Sequence, residues 1–267
     1  MVFLSVAFMQ RTYLVTGSAA GTGAATSQLL HAQGHRVIGI DLVSADVIVD
    51  LSTPVGRLEA IEKVQEISDG VLDAIITCAG IAAPKPITVA TNFYGVTQVV
   101  EGLLDLITLS AAPRVVVTTS VAALKDIDDE LVRRLLGGRE TDALQRAQEL
   151  AGGENTSSLI FTSSKYALGQ WVRHEAVKRQ WAMAGIALNA IAPGTILTDS
   201  MHKELRNPDR RAFIDSEIPM PLNGHLLPVD VARVLAWFAS PENAHITGQT
   251  VFVDGGAEAI LRSSRSF

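Results

Sequence analysis

A glycine-rich turn close to the amino terminus constrains the fold more than any other feature of this chain. The sequence Thr-Gly-Ser-Ala-Ala-Gly-Thr-Gly at residues 16–23 directly follows the apolar stretch Tyr13–Val15 and opens a helix-like segment. In a strand–turn–helix unit, Gly17 permits a tight turn, Gly21 lets the backbone approach a ligand, and Gly23 allows close packing of helix on strand. The free N–H groups and the dipole of the first helical turn then favour a pyrophosphate.

An acidic residue at the end of the second apolar run makes this glycine pattern specific. Asp41 follows Gly23 by 18 positions and ends the run Val37–Ile40. A carboxylate at this place accepts hydrogen bonds from a ribose diol and repels a 2′-phosphate. A glycine-rich loop alone is often only a turn, but the two features together predict a dinucleotide site that prefers NAD over NADP.

Composition places the chain among globular proteins and argues against several kinds of partner. Of its 267 residues, 48% are apolar and 19% are charged, with a formal net charge of −6. This balance lacks the basic excess of a nucleic-acid-binding protein. The single cysteine excludes an intramolecular disulfide and suits a cytoplasmic location. The six histidines show no metal-ligand spacing, so we predict no metal site.

The first eight residues are apolar, but they are too few to span a bilayer and lack the basic start of a signal peptide. We interpret residues 1–8 as a peripheral extension, or as the product of a start codon placed too early, before a single domain over residues 9–267. A membrane-touching tail is the alternative, and we expect no membrane partner.

Short β-branched runs alternate with longer helical patterns along the chain. The predicted strands are Tyr13–Val15, Val37–Ile40, Val47–Val49, Ala74–Ile76, Val115–Val117, Ala187–Ile191 and Val251–Val253. Their apolar runs are continuous, which indicates a mainly parallel, seven-stranded sheet buried on both faces. With right-handed helical crossovers, this pattern predicts the α/β class: a single doubly wound Rossmann domain with helices on both faces of the sheet.

One segment interrupts the alternation of strands and helices. Residues 123–157 predict a helical insertion with two helices, at about Asp126–Leu136 and Thr141–Leu150. The acidic run from residue 126 to 130 is interpreted as a solvated helix start, since carboxylates suit the positive end of the helix dipole. A partner-binding patch is the alternative for this run.

Ligands of an open parallel sheet lie beyond the carboxyl ends of its strands, and several candidate residues of this chain occur there. Ser120 follows the fifth strand, predicted to run through Thr119, and Lys165 lies in the next helix. The other candidates are Cys78, Ala79, Gly80, Asn92, Pro193, Gly194 and Thr198. Taken alone, Ser120 and Asn92 could be helix caps, Lys165 a solvated lysine and Cys78 a small buried residue. Their joint placement favours a functional site.

A series of short motifs occurs in a fixed order along the chain. They are Thr-Gly-x-x-x-Gly-x-Gly at residues 16–23, Asp50-Leu51, Cys78-Ala79-Gly80 in place of the usual Asn-Ala-Gly, Asn92, Ser120, Lys165, Pro193-Gly194 and Asp254-Gly255-Gly256. From Tyr13 to about Gly256 the chain therefore resembles the short-chain dehydrogenase/reductase family. The insertion and residues 252–260 are similar to a narrower group, the bacterial 3α-hydroxysteroid dehydrogenase/carbonyl reductases. The resemblance implies NAD-dependent interconversion of a secondary alcohol and a ketone.

The resemblance also implies roles for individual residues. The implied NAD-binding positions are Gly17, Ala20, Gly21, Thr22, Gly23, Asp41, Leu42, Asp50, Leu51, Cys78, Ala79, Gly80, Lys165, Pro193, Gly194, Ile196 and Thr198. Thr198 and the backbone near Ile196 would fix the carboxamide of nicotinamide. Ser120 would hold the substrate oxygen, and Asn92 would hold a water that leads protons from Lys165 to solvent.

One position departs from the family pattern. The family has a tyrosine four residues before the lysine as proton donor and acceptor, whereas this chain has Phe161. Residues i and i+4 share a helix face, so Phe161 would occupy the tyrosine's place without its hydroxyl. Tyr166 is not an obvious substitute, because it is rotated by about 100° around the helix from Lys165. Removal of a positioned acid–base group typically costs about 10²–10⁴-fold in rate.

Three explanations of Phe161 compete. The first is a Tyr-to-Phe replacement that traps a bound substrate in an otherwise intact enzyme. The second is a natural divergence with weak or altered chemistry. The third is a cofactor-binding sensor or scaffold without catalysis. We favour the first, because Ser120, Asn92 and Lys165 remain.

The segment 199–227 is rich in methionine and proline, and it predicts a mobile flap over a steroid-like or cyclic apolar substrate. Its candidate lining residues, which could instead pack the flap against the domain, are Met201, Ile214, Met220, Leu222 and Leu226. In the family, helices near residues 95–110 and 160–180 usually form a subunit interface. Because the insertion lies between them in sequence, we expect a homodimer or other homo-oligomer with an altered interface.

Overall fold

Seven parallel strands form one sheet at the centre of the structure, a computed structural model that describes residues 10–154 and 156–262. The strands are β1 (Thr12–Thr16), β2 (Arg36–Asp41), β3 (Val47–Ile48), β4 (Ala74–Thr77), β5 (Arg114–Thr118), β6 (Ala187–Pro193) and β7 (Thr250–Val253). Their order is β3-β2-β1-β4-β5-β6-β7, and every pair is parallel. The doubly wound α/β prediction is confirmed, with a wholly parallel sheet. The predicted extension 1–8 and both ends of the predicted domain 9–267 lie outside the described residues.

Helices cover both faces of this sheet. They are α1 (Gly21–Ala32), α2 (Pro54–Ile67), α3 (Ile87–Val89), α4 (Gly95–Gly102), α5 (Leu104–Ile107), α6 (Asp129–Leu136), α7 (Glu140–Gly152), α8 (Ser158–Glu175), α9 (Arg179–Ala182), α10 (Asp199–Glu204), α11 (Pro208–Glu217), α12 (Pro228–Phe238) and α13 (Ala257–Leu261). A π-helical turn spans Ala90–Tyr94 and a 3₁₀ turn spans Val121–Leu124. Within the described ranges, no helix is long and apolar enough to cross a membrane.

The alternation of side chains along the strands divides the core between the two faces. In β1, Leu14 packs into a cluster with the α8 side chains Leu168 and Val172. Its neighbours Tyr13 and Val15 point to the opposite face, where α1 and α12 pack against each other. Because both faces are covered, apolar residues are favoured at every position of the central strands, which explains the continuous runs in the sequence.

The fifth strand ends one residue earlier than the sequence predicted, at Thr118 instead of Thr119. The N–H of Thr119 still donates to the carbonyl oxygen of Ile191 in β6 at 2.8 Å, and the chain leaves the sheet at Ser120, whose Oγ accepts a hydrogen bond from the N–H of Ala122 at 3.1 Å and begins the 3₁₀ turn. The third strand is also shorter than predicted, since Val49 lies beyond its last paired residue.

The insertion forms two helices, α6 and α7, which both pack against α8. Helix α6 begins at Asp129, three residues later than predicted, because the Oδ1 of Asp128 accepts from the N–H of Leu131 at 2.7 Å and caps the helix. Arg146 of α7 binds the same carboxylate, and this hydrogen bond lowers the pKa of Asp128. These contacts favour a helix start over a partner-binding patch.

Candidate active site

The glycine turn after β1 has the tight geometry that its sequence predicts. Gly17 has a φ of +69°, and a Cβ added there would lie 2.7 Å from the backbone nitrogen of Ala79. A Cβ added at Gly23 would lie 2.0 Å from the carbonyl oxygen of Gly17. Glycine is required at both positions, since any larger residue would separate the turn from the neighbouring strand or from α1.

The amino terminus of α1 is open to an anion. Its N-cap residue, Ala20, has no side-chain hydrogen bond to the helix, and the first turn carries no acidic residue. The N–H groups of Gly21 and Thr22 therefore have no side-chain cap to compete with a phosphate. A Cβ added at Gly21 would lie 3.3 Å from the Cγ2 of Thr198, so the fold brings Thr198 beside this turn. This arrangement fits the diphosphate of a dinucleotide.

Asp41 ends β2 and faces the glycine turn. Its Oδ2 accepts from the N–H of Ala19 at 2.9 Å, and its Oδ1 accepts from the N–H of Leu42 at 2.7 Å. The carboxylate is thus fixed in orientation, and each oxygen retains a further lone pair for a ligand hydroxyl. Leu42 is exposed beside it. The position is suited to a ribose diol next to the diphosphate.

The segment after β3 contains the next two predicted cofactor residues. Asp50 accepts from the N–H of Ser52 through Oδ1 at 2.9 Å, which forms a tight local turn. Leu51 is buried, and its carbonyl oxygen lies 3.0 Å from a Cβ added at Gly95. The turn is therefore held closely against the amino terminus of α4.

Cys78, Ala79 and Gly80 follow β4 at the same edge of the sheet. Burial of the thiol raises the pKa of Cys78 to about 11, and the hydroxyl of Thr118 lies 3.9 Å from its sulfur. A thiol with this pKa is neutral near pH 7 and is therefore a poor nucleophile. This agrees with the interpretation of Cys78 as a small buried residue. A Cβ added at Gly80 would lie 3.4 Å from the Nζ of Lys165. Small residues here leave room beside that amine.

Lys165 is a buried lysine of α8, 5% exposed, and is not the solvated lysine that its sequence alone would suggest. Its Nζ donates to the carbonyl oxygen of Thr118 at 2.8 Å. Loss of solvation lowers the pKa of Lys165 to about 8, and the nearby Cys78 partly opposes this effect. No carboxylate forms an ion pair with this amine in the described part of the chain.

Asn92 lies inside the π-helical turn, and the alternative that it caps a helix is wrong. Its Nδ2 donates to the carbonyl oxygen of Ile81, and its Oδ1 accepts from the N–H of the same residue, both at 2.9 Å. The Nδ2 also lies 3.4 Å from the Oγ of Ser164. Single π-turns are frequent at functional sites, because they rotate one residue away from the regular helical position.

Two interpretations of Ser120 were open, a helix cap and a hydroxyl that contacts substrate, and its geometry is compatible with both. Its Oγ caps the 3₁₀ turn as an acceptor, so its hydroxyl proton is available to another group. A cavity of about 200 Å³ next to Ser120 and Lys165 extends between α8 and β7, with Tyr166, Arg173 and Phe252 also on its wall. Ser120 and Lys165 therefore approach one space from neighbouring elements.

Phe161 is partly buried in the first turn of α8, one turn before Lys165. The carbonyl oxygen of Phe161 accepts from the Oγ of Ser164 at 2.7 Å. The predicted shared helix face is present, and the ring adds no hydrogen-bonding group to it. Tyr166 lies on the wall of the cavity and Phe161 does not.

The segment 199–227, predicted as a flap, contains the helices α10 and α11. Met220 is packed at the end of β6, where its sulfur accepts from the N–H of Thr195 at 3.3 Å and a Cβ added at Gly194 would lie 2.8 Å from it. Leu226 packs against the core and forms an isolated bridge with Ile196. Ile214 is buried, and Leu222 is 67% exposed. Leu226 therefore packs the segment against the domain, as in the alternative to a pocket-lining role.

Several residues around this site could not be found from the sequence. The carbonyl of Thr118 and the backbone of Ile81 bind Lys165 and Asn92, but a backbone partner carries no side-chain signal. Pro193 and Gly194 lie where predicted, at the end of β6. Among residues 10–154 and 156–262, no three His, Cys, Asp or Glu side chains are placed to hold a metal ion.

Comparisons with known proteins agree with this geometry. Residues 146–258 match the family model described as Enoyl-(Acyl carrier protein) reductase. The 3-alpha-hydroxysteroid dehydrogenase/carbonyl reductase of Comamonas testosteroni is 34% identical over 257 residues, which cover 94% of this chain and 98% of that protein. The versicolorin reductase stcU of Emericella nidulans is 31% identical, with coverage of 91% and 94%.

A solved structure extends the agreement to three dimensions. The 3-alpha-hydroxysteroid dehydrogenase from Pseudomonas sp. B-0831, complexed with NADH, has a TM-score of 0.86 and 35% identity, and the match covers 96% of this chain and 100% of that one. Homologues of this kind are NAD(P)-dependent oxidoreductases that act on an alcohol or a ketone. Relatives more than 30% identical along nearly the whole chain, together with the shared fold, show that this protein belongs to the short-chain dehydrogenase/reductase family.

Proposed function

We propose that this protein is an NAD(H)-dependent oxidoreductase that interconverts a secondary alcohol and a ketone on a steroid-like or other cyclic apolar substrate. One observation carries the proposal. Asp41 is fixed beside an uncapped glycine turn, while on the same edge of the sheet Ser120 follows the end of β5 and Lys165 reaches that end from α8 through its Nζ. The hydroxysteroid dehydrogenase names of the relatives support the substrate class.

The preference for NAD over NADP follows from charge. The Asp41 carboxylate has lone pairs for the adenosine ribose hydroxyls, and its negative charge would repel a 2′-phosphate. The NADH in the similar solved structure is consistent with this preference. Titration with both reduced coenzymes tests it, and tighter binding of NADPH than of NADH would contradict it.

Held by the glycine turn and Asp41, a nicotinamide coenzyme would supply the hydride chemistry of the proposed reaction. Ser120 donates its free hydroxyl proton to the substrate oxygen and so orients the reacting carbon. Asn92 holds a water near Lys165, and the buried amine electrostatically favours a negative charge on an adjacent oxygen. Thr198, at the start of α10, orients the carboxamide. Met201 and Met220 would contact the apolar part of the substrate.

Phe161 limits the proton step, because no phenol stands between Lys165 and the substrate oxygen. We therefore propose that this chain has low activity and retains binding of cofactor and substrate. Its single cysteine suits a reducing compartment, and we propose a cytoplasmic location.

The rival function is an NAD-binding sensor or scaffold without turnover, and binding alone does not separate the two. The variant Phe161→Tyr, assayed with NADH and NAD⁺ against a panel of ketones and secondary alcohols, does separate them. A strong gain of turnover supports the enzyme. No turnover with any compound, in a folded variant that binds NADH, supports the sensor.

We further propose a homo-oligomer, most simply a dimer, with an interface altered by the insertion. Helices α6 and α7 lie on α8, one of the helices that the family uses between subunits. Sedimentation of a monomer at micromolar concentration would remove this proposal.

A further inference from the structure

A buried ion pair joins the insertion to α2. The Nη2 of Arg57 donates to both carboxylate oxygens of Glu140, at 2.8 and 2.7 Å. The Arg57 side chain is 1% exposed and that of Glu140 is 19% exposed. Arg57 lies in the first turn of α2, and Glu140 is the first residue of α7.

The other terminal nitrogen of Arg57 holds the turn that follows β3. Its Nη1 lies 3.3 Å from the carbonyl oxygen of Leu51 and 3.3 Å from that of Ser52. This turn also contains Asp50, and it follows β3, which pairs with the end of β2 that carries Asp41. Because Asp41 is proposed to bind the adenosine ribose, we infer that the segment 50–52 lies at the adenine end of the cofactor. One guanidinium group therefore connects the insertion directly to the cofactor site.

The carboxylate of Glu140 has further neighbours in the body of the domain. The Nε2 of Gln98 in α4 lies 3.4 Å from its Oε2. Burial raises the pKa of the Tyr94 hydroxyl, and the negative charge of Glu140 raises it further. Tyr94 ends the π-helical turn that carries Asn92. Glu140 thus lies where the insertion, α4 and the π-turn meet.

Removal of one partner from a buried ion pair leaves an uncompensated charge, which the surrounding structure must then resolvate. Without the Glu140 carboxylate, the 1%-exposed guanidinium of Arg57 would keep, among the described residues, only the two 3.3 Å contacts of its Nη1 with carbonyl oxygens. Movement of Arg57 toward solvent would release Leu51 and Ser52. The geometry of the adenine segment therefore depends on a carboxylate that the insertion provides.

We propose that the insertion is part of the cofactor site, with Glu140 acting through Arg57 as a positioning residue for the segment 50–52. The inference rests on the proposed NAD function of the chain. It assigns to the insertion a role in binding the adenine half of the coenzyme, separate from any role in subunit contact.

The test compares the full-length protein with Glu140→Gln, which keeps the shape of the side chain and removes its charge. Calorimetric dissociation constants are measured for NADH, for ADP-ribose and for dihydronicotinamide mononucleotide. We expect Glu140→Gln to raise the dissociation constants of NADH and ADP-ribose by about tenfold or more. A tenfold change corresponds to about 1.4 kcal/mol of binding free energy. Binding of dihydronicotinamide mononucleotide, which lacks adenine, should stay unchanged.

The matched control is Glu130→Gln, which removes ion pairs to Arg133 and Arg134 in the same insertion, away from Arg57. Equal weakening of all three ligands, or of none, in a folded Glu140→Gln protein would overturn the inference. Should Glu140→Gln not fold, Glu140→Asp keeps the charge and must show the same selective loss in smaller measure. Failure of the unaltered protein to bind NADH would instead count against the proposed function.

Discussion

The glycine turn with Asp41 and the proposed catalytic end of α8, which carries Phe161 and Lys165, lie at one edge of the sheet, but they are built from different parts of the chain. The turn offers backbone N–H groups and one carboxylate held by the backbone N–H groups of Ala19 and Leu42. The proposed catalytic end depends on side-chain atoms, and residue 161 is a phenylalanine where the family resemblance implies a tyrosine hydroxyl. In the proposed function, coenzyme binding does not require the atom that proton transfer requires, so we expect that the two properties can be altered separately.

The largest expected effect is a gain at the catalytic end. Phe161→Tyr should raise turnover by about 10²–10⁴-fold, the usual contribution of a positioned acid–base group. The dissociation constant for NADH should change little, because the glycine turn is untouched. Steady-state assays and NADH titration measure the two quantities. The control is Tyr166→Phe, which removes a hydroxyl one residue beyond Lys165; an equal effect of both substitutions on turnover would break the comparison.

The second prediction concerns the charge of Lys165. Its pKa in the folded protein is about 8, below the ordinary value of 10.5, so folding disfavours the protonated amine. Below pH 8 this destabilisation is fully present. Between pH 8 and 10.5 the unfolded chain binds more protons than the folded one, so stability rises with pH.

The measurement is urea unfolding of the protein and of Lys165→Met at pH 7.5, 9 and 10.5. The unfolding free energy of the protein relative to the variant should increase by about 3 kcal/mol over this range. Other titrating groups cancel in the difference between the two proteins. A difference that does not vary with pH would show that the amine is well solvated or paired.

The third prediction returns to the cofactor side. Asp41→Ser should raise the dissociation constant for NADH by roughly 10- to 100-fold, because charged hydrogen bonds to the ribose are worth about 1.5–3 kcal/mol. The affinity for NADPH should fall much less, since the substitution also removes the repulsion between the Asp41 carboxylate and the 2′-phosphate. Fluorescence titration of both coenzymes gives the ratio. Asp69→Ser, which removes an exposed partner of Arg36, is the control and should leave both affinities unchanged.

The smallest effect is expected at Cys78, which lies between the two regions. Cys78→Ala should change NADH affinity by less than about threefold, as is usual for a change that removes no charged contact. In the unaltered protein the thiol should react slowly with iodoacetamide at pH 8, because a pKa of about 11 keeps it neutral. Rapid alkylation of the native protein, at a rate near that of the unfolded chain, would be incompatible with this thiol pKa.

The sequence predicted features whose cause is local. Gly17 and Gly23 identify the turn because no other residue avoids the contacts with Ala79 and with the Gly17 carbonyl. Continuous apolar runs predicted the seven strands and the burial of the central ones on both faces, whereas the edge strands β3 and β7 are partly exposed. The strand limits were less certain, since the end of β5 depends on a hydrogen bond from the Ala122 N–H to the Oγ of Ser120.

By itself, the sequence determined the doubly wound fold, the glycine turn, the acidic residue after β2 and the phenylalanine at residue 161, where the family resemblance implies a tyrosine. These depend on residue type and on contacts between near neighbours. Only the tertiary structure decided that Asn92 is bound to Ile81, that Lys165 loses its solvation beside Thr118, and that Glu140 pairs with Arg57 across 83 positions. Such contacts join segments remote in sequence, and desolvation depends on everything packed around a group, so neither has a local pattern.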